Sequence, residues 1–135
     1  MIADWIYPAA PFVAWLAAGS LKFALNSWRQ RAPAFGQIGL GHFPSNHSTI
    51  VSTVATLVAL REGAGPMLAL ALALAFIVVL DALDLRRKLG QHAAAINALA
   101  GQGTLRERLG HSPVEVAGGI ALGVAVGAVL SRISF

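Results

Sequence analysis

The sequence contains no cysteine and few charged residues. The missing cysteine excludes disulfides, thiolate metal sites and a cysteine nucleophile. Asp, Glu, Lys and Arg make up only 12% of the 135 residues, against roughly 25% in a typical soluble domain. Hydrophobic residues reach 56%, and the mean hydropathy is +0.68. A chain this short and apolar cannot bury all of its apolar surface, so we expect a single domain over residues 1–135 that largely faces lipid.

Four apolar segments predict an all-α integral membrane bundle of about four transmembrane helices. They run over residues 9–25, 48–60, 66–83 and 114–130. The first has no basic stretch before it, so we expect a retained span and not a cleaved signal peptide. The second is short, because at about 1.5 Å per residue it covers about 20 Å of a ~30 Å hydrocarbon core. Over residues 86–99, apolar and polar residues recur with helical periodicity, which predicts a short amphipathic helix at the membrane interface.

The basic residues predict the orientation of this bundle. With four spans, the first and third connections share one side of the membrane, and eight of the ten Lys and Arg residues lie on that side. The positive-inside rule then predicts a protein of the bacterial cytoplasmic (inner) membrane with this side toward the cytoplasm. Few aromatic residues accompany these charges, so we expect anionic headgroups or phosphates as partners and no nucleic acid.

Two polar clusters occur on that same side, each at the start of an apolar segment. The segment "PSNHS" places His47 there, with Ser45 and Asn46 as alternative N-caps. The segment "HSPVE" places His111 before a second helix start. Unpaired N–H groups and the positive end of the helix dipole make helix starts suitable for anions. Two such starts with basic residues nearby predict a phosphate pocket.

The second cluster also has a structural interpretation. Ser112 and Glu115 form the pattern of a capping box, and Pro113 takes the favoured first helical position. Glu115 therefore either only caps the helix or combines capping with a role at His111.

Small residues recur at every fourth position of the last apolar segment. Gly119, Gly123 and Gly127 allow two helices to approach closely. We favour packing inside the bundle, and a homo-oligomeric contact through these glycines is the alternative.

The polar residues are similar in spacing to the three motifs of the type 2 phosphatidic acid phosphatase superfamily, which includes vanadium haloperoxidases. Lys22 and Arg29 match the first motif, K-x(6)-R-P. Residues 44–47, "PSNH", resemble the second motif, P-S-G-H. His111 and Glu115 match the end of the third motif, S-R-x(5)-H-x(3)-D, with glutamate in place of the aspartate. The resemblance implies the helical core of that superfamily.

Departures from these motifs point to a divergent, short branch of the superfamily. Gln30 stands in place of a proline, Asn46 in place of a glycine and Leu105 in place of the third-motif arginine. The segments "PSNHS", "DALDLRRKLGQHA" and "LGHSPVEV" resemble that branch, the acid phosphatase and vanadium haloperoxidase-related membrane proteins.

The resemblance implies roles for individual residues. His111 is the expected nucleophile, oriented by Glu115, and His47 the expected general acid and base. One of Arg86 and Arg87 is expected to replace the missing arginine, with Arg106 as an alternative. The residues expected to bind phosphate are Lys22, Arg29, Ser45, Asn46, Arg86 and Arg87. The residues expected to support them are Asp81, Asp84 and Ser48.

The expected activity is that of a phosphatase acting on a lipid phosphate, with no metal and no cofactor. Phosphatidylglycerophosphate is the first expected substrate, followed by polyprenyl (di)phosphate or phosphatidic acid. A non-catalytic protein that binds anionic lipid and a small transporter or channel subunit are the competing hypotheses. An enzyme requires His47 and His111 to face one cavity about one phosphate wide, whereas a channel requires polar residues along the bilayer midplane.

Overall fold

The computed structural model describes residues 5–31, 33, 43–101 and 103–133, and these ranges contain helices and no strand. The predicted all-α class is therefore confirmed. A π-helical turn, Asp81–Leu85, joins the third helix to the fourth without a break. The helices are α1 (Ile6–Gln30), α2 (Asn46–Glu62), α3 (Pro66–Leu80), α4 (Arg86–Ala100) and α5 (Pro113–Leu130).

Local sequence signals explain where the helices begin and end. Ser45 is the N-cap of α2, which decides between the two candidate caps, and its hydroxyl accepts a hydrogen bond from the Ser48 N–H. The capping box of Ser112 and Glu115 begins α5, as the sequence predicted. Gly101 ends α4 in the left-handed conformation, with φ of 64°.

Three helical segments in the described part of the chain are long and apolar enough to cross a membrane. They are α1, the continuous helix Pro66–Ala100 and α5. Their outer faces expose large apolar side chains, such as Phe12, Phe76 and Val129. Surfaces of this kind require an apolar solvent, and the chain is an integral membrane protein. α2 has 17 residues, so a fourth span through it stays a prediction.

The helix predicted over residues 86–99 forms as α4, but it continues α3 and is not a separate element. Pro66–Ala100 is one helical segment of 35 residues. α4 carries the charged side chains Arg86, Arg87 and Lys88 in its first turn, directly after the apolar α3. The membrane surface along this helix is therefore expected near the π-turn.

α2 lies at the centre of the bundle and contacts α1, α3 and α5. Two buried threonines of α2 are bonded to backbone carbonyl groups: Thr49 Oγ1 donates to Ser45 O at 2.9 Å, and Thr53 Oγ1 donates to Gly123 O at 3.1 Å. Because protein surrounds it, α2 needs no apolar surface of its own toward lipid. This central position explains why the apolar segment of α2 is short in the sequence.

The glycines of α5 bring its backbone against the backbone of α2. All three are buried, and a Cβ atom at each would lie under 3 Å from a carbonyl oxygen of α2 or of its N-cap residue. The distances are 2.5 Å for Gly119 and Ser45, 2.6 Å for Gly123 and Thr49, and 2.7 Å for Gly127 and Thr53. Packing within the bundle is thus confirmed, whereas a homo-oligomeric contact stays a prediction. The pairs advance together along both helices, so α2 and α5 run parallel.

Gly123→Ala is expected to lower the thermal unfolding midpoint in detergent, because the new methyl group forces α5 away from Thr49. Overpacking of this kind costs about 1–3 kcal/mol. Gly19→Ala is the matched control, since a Cβ there meets no atom within 4 Å. The control should leave the midpoint unchanged or raise it. Equal midpoints for the two variants would contradict the close approach of α2 and α5.

Candidate functional site

His47 and His111 line the same cleft at one end of the bundle. The cleft has a volume of about 410 Å³. The two ring centroids lie 6.2 Å apart with an interplanar angle of 57°. The two histidines therefore face one cavity, which is the first part of the geometric requirement for an enzyme. The cleft is lined by His47, Asp81, Leu85, Arg86, Leu89, Arg106, Arg108, Leu109, Gly110 and His111.

Glu115 both caps α5 and contacts His111. Its Oε2 accepts a hydrogen bond from the Ser112 N–H at 2.8 Å and lies 3.4 Å from His111 Nδ1. A carboxylate at Nδ1 favours the tautomer that carries its proton there. Nε2 of His111 then keeps its lone pair. The arrangement supports the combined role over capping alone.

The surroundings of His111 favour the neutral imidazole. Its side chain is only 9% exposed, and this burial lowers the pKa of His111 below its ordinary value. The positive charges of Lys22 and Arg86 lower the pKa further, whereas Glu115 opposes them by charge and hydrogen bonding. The net direction is downward, so the ring is neutral at pH 7.

The π-turn brings together two interactions that a regular helix would separate. Arg86 Nε donates to Asp81 Oδ2 at 2.7 Å. Side chains five residues apart are rotated by about 140° in an α-helix, and only the wider π-turn places them on one face. The turn also leaves the Ala82 carbonyl oxygen available, and this oxygen accepts a hydrogen bond from the His111 N–H at 2.9 Å. One turn therefore positions both Arg86 and His111.

The paired arginines that follow the third span diverge. Arg86 lines the cleft with His47, whereas Arg87 lines a neighbouring cleft. Asp84 bonds to Lys88 Nζ at 2.8 Å and not to an arginine. Of the predicted pairings between aspartate and arginine, the structure contains the one between Asp81 and Arg86.

The two residues of the first motif lie in different environments. Lys22 is buried in α1, with 6% of its surface exposed. Its charge lowers the pKa of His111, but Lys22 does not line the cleft. Arg29 is exposed in the last turn of α1, about 10 Å farther along the helix, and does not line the cleft.

The polar residues next to His47 build the start of α2. Ser45 and Ser48 are completely buried, and the Ser48 hydroxyl donates to Ser45 Oγ at 3.0 Å. The Ser45 N–H donates to the Glu115 carbonyl at 2.9 Å, which joins the starts of α2 and α5. Asn46 Oδ1 is buried and has no hydrogen-bond partner among the described residues. Neither serine lines the cleft.

Sequence reasoning missed the contacts that hold residues 103–112 across α4. Asn97 Nδ2 donates to Leu105 O and to Glu107 Oε1, both at 2.8 Å, and Asn97 Oδ1 accepts from the Leu105 N–H at 3.0 Å. Gly90 of α4 leaves room for the Glu107 backbone. A glycine inside a helical pattern is a sequence signal for such an approach.

The charges around the cleft suit an anion better than a cation. The positive charges of Lys22 and Arg86 both act on His111. Over residues 5–31, 33, 43–101 and 103–133, no group of three or more His, Asp or Glu side chains is arranged to hold a metal ion. Asp81 and Glu115 each have a partner already, in Arg86 and in Ser112 with His111.

Comparison with known sequences decides the family. The profile of the "Divergent PAP2 family" matches residues 7–126. The chain belongs to the divergent PAP2 family. It is also 33% identical over 112 residues to the "Uncharacterized membrane protein YuiD" of Bacillus subtilis (strain 168), with 67% of this chain and 71% of that protein covered. No solved structure matches the chain. The expected family is therefore confirmed.

Proposed function

We propose that this protein is a membrane phosphatase that releases phosphate from a lipid phosphomonoester through a phosphohistidine on His111, by a route that requires no metal. One observation carries the proposal: His47 and His111 line one cleft, with centroids 6.2 Å apart, and Glu115 lies at the Nδ1 atom of His111. Membership in the divergent PAP2 family supports the same reaction class.

In the first step, Nε2 of His111 attacks phosphorus. The bond between phosphorus and the lipid oxygen breaks, and His47 gives its proton to the leaving alkoxide. Attack leaves a positive charge on the His111 ring, and the Glu115 carboxylate stabilises this charge from the Nδ1 side. The products are the lipid alcohol and a phosphohistidine.

In the second step, neutral His47 accepts a proton from water as the water oxygen attacks phosphorus. The bond between phosphorus and Nε2 breaks, which releases inorganic phosphate and returns His111 to its starting state. An imidazole suits both steps, because its ordinary pKa lies near neutrality.

Positive groups around the cleft would stabilise the charge on the phosphoryl oxygens. Arg86 is the proposed replacement for the third-motif arginine, which is absent at Leu105, because Arg86 lines the cleft and Asp81 holds it. Lys22 would supply a second charge from α1. The N–H groups at the start of α2 would add donors.

The apolar helices that carry the cleft favour a lipid as the source of the phosphate. Phosphatidylglycerophosphate is the first candidate, ahead of polyprenyl (di)phosphate and phosphatidic acid. The test is purified protein in detergent with a panel of these lipids, in which released phosphate is measured. Binding of the lipids without release of phosphate would favour the non-catalytic lipid-binding alternative.

His111→Ala is expected to abolish phosphate release while the protein still folds, because the ring lies at the cleft and outside the packed contact of α2 and α5. Since the ring is largely buried, its loss should lower the thermal unfolding midpoint to some extent. His47→Ala should lose activity on alkyl phosphates but retain some on substrates with good leaving groups. His92→Ala is the control, since His92 is exposed on α4. Normal turnover by His111→Ala would rule out the phosphohistidine assignment.

On the acidic limb of its pH profile, kcat/KM is expected to fall only below pH ~6.5, the ordinary pKa of histidine. The nucleophile must be neutral, and the lowered pKa of His111 keeps it so until the pH falls through that value. Glu115 raises this pKa, so Glu115→Gln should move the limb to still lower pH and reduce the maximal rate. An unchanged limb would show that Glu115 does not act on His111.

The cleft is proposed to face the cytoplasm, because eight of ten basic residues lie at its end of the bundle. The sequence has no native cysteine, so single introduced cysteines can be probed with an impermeant thiol reagent in intact cells. Labelling of Gly63→Cys with protection of Gly101→Cys is expected. The reverse pattern would place the cleft on the outer face.

A further inference from the structure

A second, larger cleft adjoins the first and shares one wall with it. Its volume is about 780 Å³. Both clefts are lined by the run from Arg108 to His111 and by Arg106. Arg87, Ser112 and Glu115 line only the larger one. His111 thus lies at the boundary between the two clefts.

The larger cleft carries an excess of positive charge that the proposed reaction does not use. Three arginines line it, Arg87, Arg106 and Arg108, against one carboxylate, Glu115. Glu115 is held by the Ser112 N–H and by His111. In the part of the chain that the structure describes, none of the three arginines has an ion-pair partner.

The neighbouring acidic residues are bonded elsewhere. Asp81 pairs with Arg86, Asp84 with Lys88, and Glu107 accepts from Asn97. The wall that bears Arg106 and Arg108 is fixed to α4 by the three hydrogen bonds of Asn97. The larger cleft therefore has a fixed wall and donors that suit phosphate oxygens.

We propose that the larger cleft, through Arg87, Arg106 and Arg108, binds a second phosphate group of the same lipid molecule whose terminal phosphate reacts at His111. The substrate class is then a lipid with two phosphates joined directly or through a short linker, in preference to a lipid with one. The two clefts share the wall from Arg108 to His111, so one molecule with two neighbouring phosphates would reach both. This inference rests on the proposed phosphatase function for its catalytic part.

Two lipids with the same acyl chains separate the two sites. Phosphatidylglycerophosphate carries two phosphates and phosphatidic acid carries one, and both are offered in micelles of a neutral detergent. The wild-type protein should have the higher kcat/KM for the lipid with two phosphates. Arg87→Gln should reduce this preference roughly tenfold, because it removes a charged donor from the second phosphate alone.

Two further variants serve as comparisons. Arg86→Gln should lower kcat/KM for both lipids by similar factors, since Arg86 lines the cleft of the reacting phosphate. Arg132→Gln, exposed at the opposite end of the bundle, should change neither. Equal losses on both lipids for Arg87→Gln, or no wild-type preference, would overturn the second phosphate site.

A separate anionic lipid is the alternative source of the second phosphate. If added phosphatidylglycerol raised turnover of phosphatidic acid to that of the lipid with two phosphates, and Arg87→Gln removed this effect, the same-molecule proposal would be wrong.

A binding measurement distinguishes whether the second phosphate site or the phosphatase function is wrong. Equilibrium binding of the two lipids is measured with His111→Ala and with His111→Ala combined with Arg87→Gln. If the wild type releases no phosphate but binding still favours two phosphates through Arg87, the phosphatase proposal fails and the second phosphate site stands. Equal binding of both lipids would remove the second site.

Discussion

The close contact between the backbones of α2 and α5 sets the arrangement on which the candidate site depends. Gly119 and Gly123 let the helices approach until side-chain atoms on α5 would collide with α2 carbonyl oxygens. Because the helices run parallel, their N-termini lie at the same end, and the Ser45 N–H bonds to the Glu115 carbonyl there. Larger residues would increase the distance between the helix axes. The rings of His47 and His111 would then separate.

The π-turn after α3 adds the remaining parts of the site. One extra residue in the turn places Asp81 and Arg86 on one face and leaves the Ala82 carbonyl free for the His111 N–H. Turns of this kind are rare and occur often at functional sites. Here the same local change orients a positive side chain and fixes the backbone of the candidate nucleophile. The π-turn thereby fixes the position of Arg86 relative to His111.

The position of α2 allows a protein buried in the membrane to carry polar residues near its candidate site. Protein surrounds this helix on several sides, so Thr49 and Thr53 bond to backbone carbonyls and need not face lipid. The neighbouring helices supply the apolar exterior. The cleft at the end of the bundle can therefore hold a charged group such as Arg86 close to a lipid surface, where low dielectric strengthens its effect on an anion.

The sequence by itself determined the helical class and the apolar segments, because these follow from composition and from the length of each apolar run. It also determined the capping box at Ser112, because a capping box depends on residues within one turn of each other. The family followed from motif spacing together with the segments "PSNHS", "DALDLRRKLGQHA" and "LGHSPVEV". Tertiary structure decided that Arg86 and not Arg87 joins the histidines, that Ser45 serves as a buried cap, and that Asn97 fixes the wall of both clefts. These contacts depend on the π-turn and on the packing of segments that are distant in the sequence. The periodicity of residues along the chain predicts neither of them.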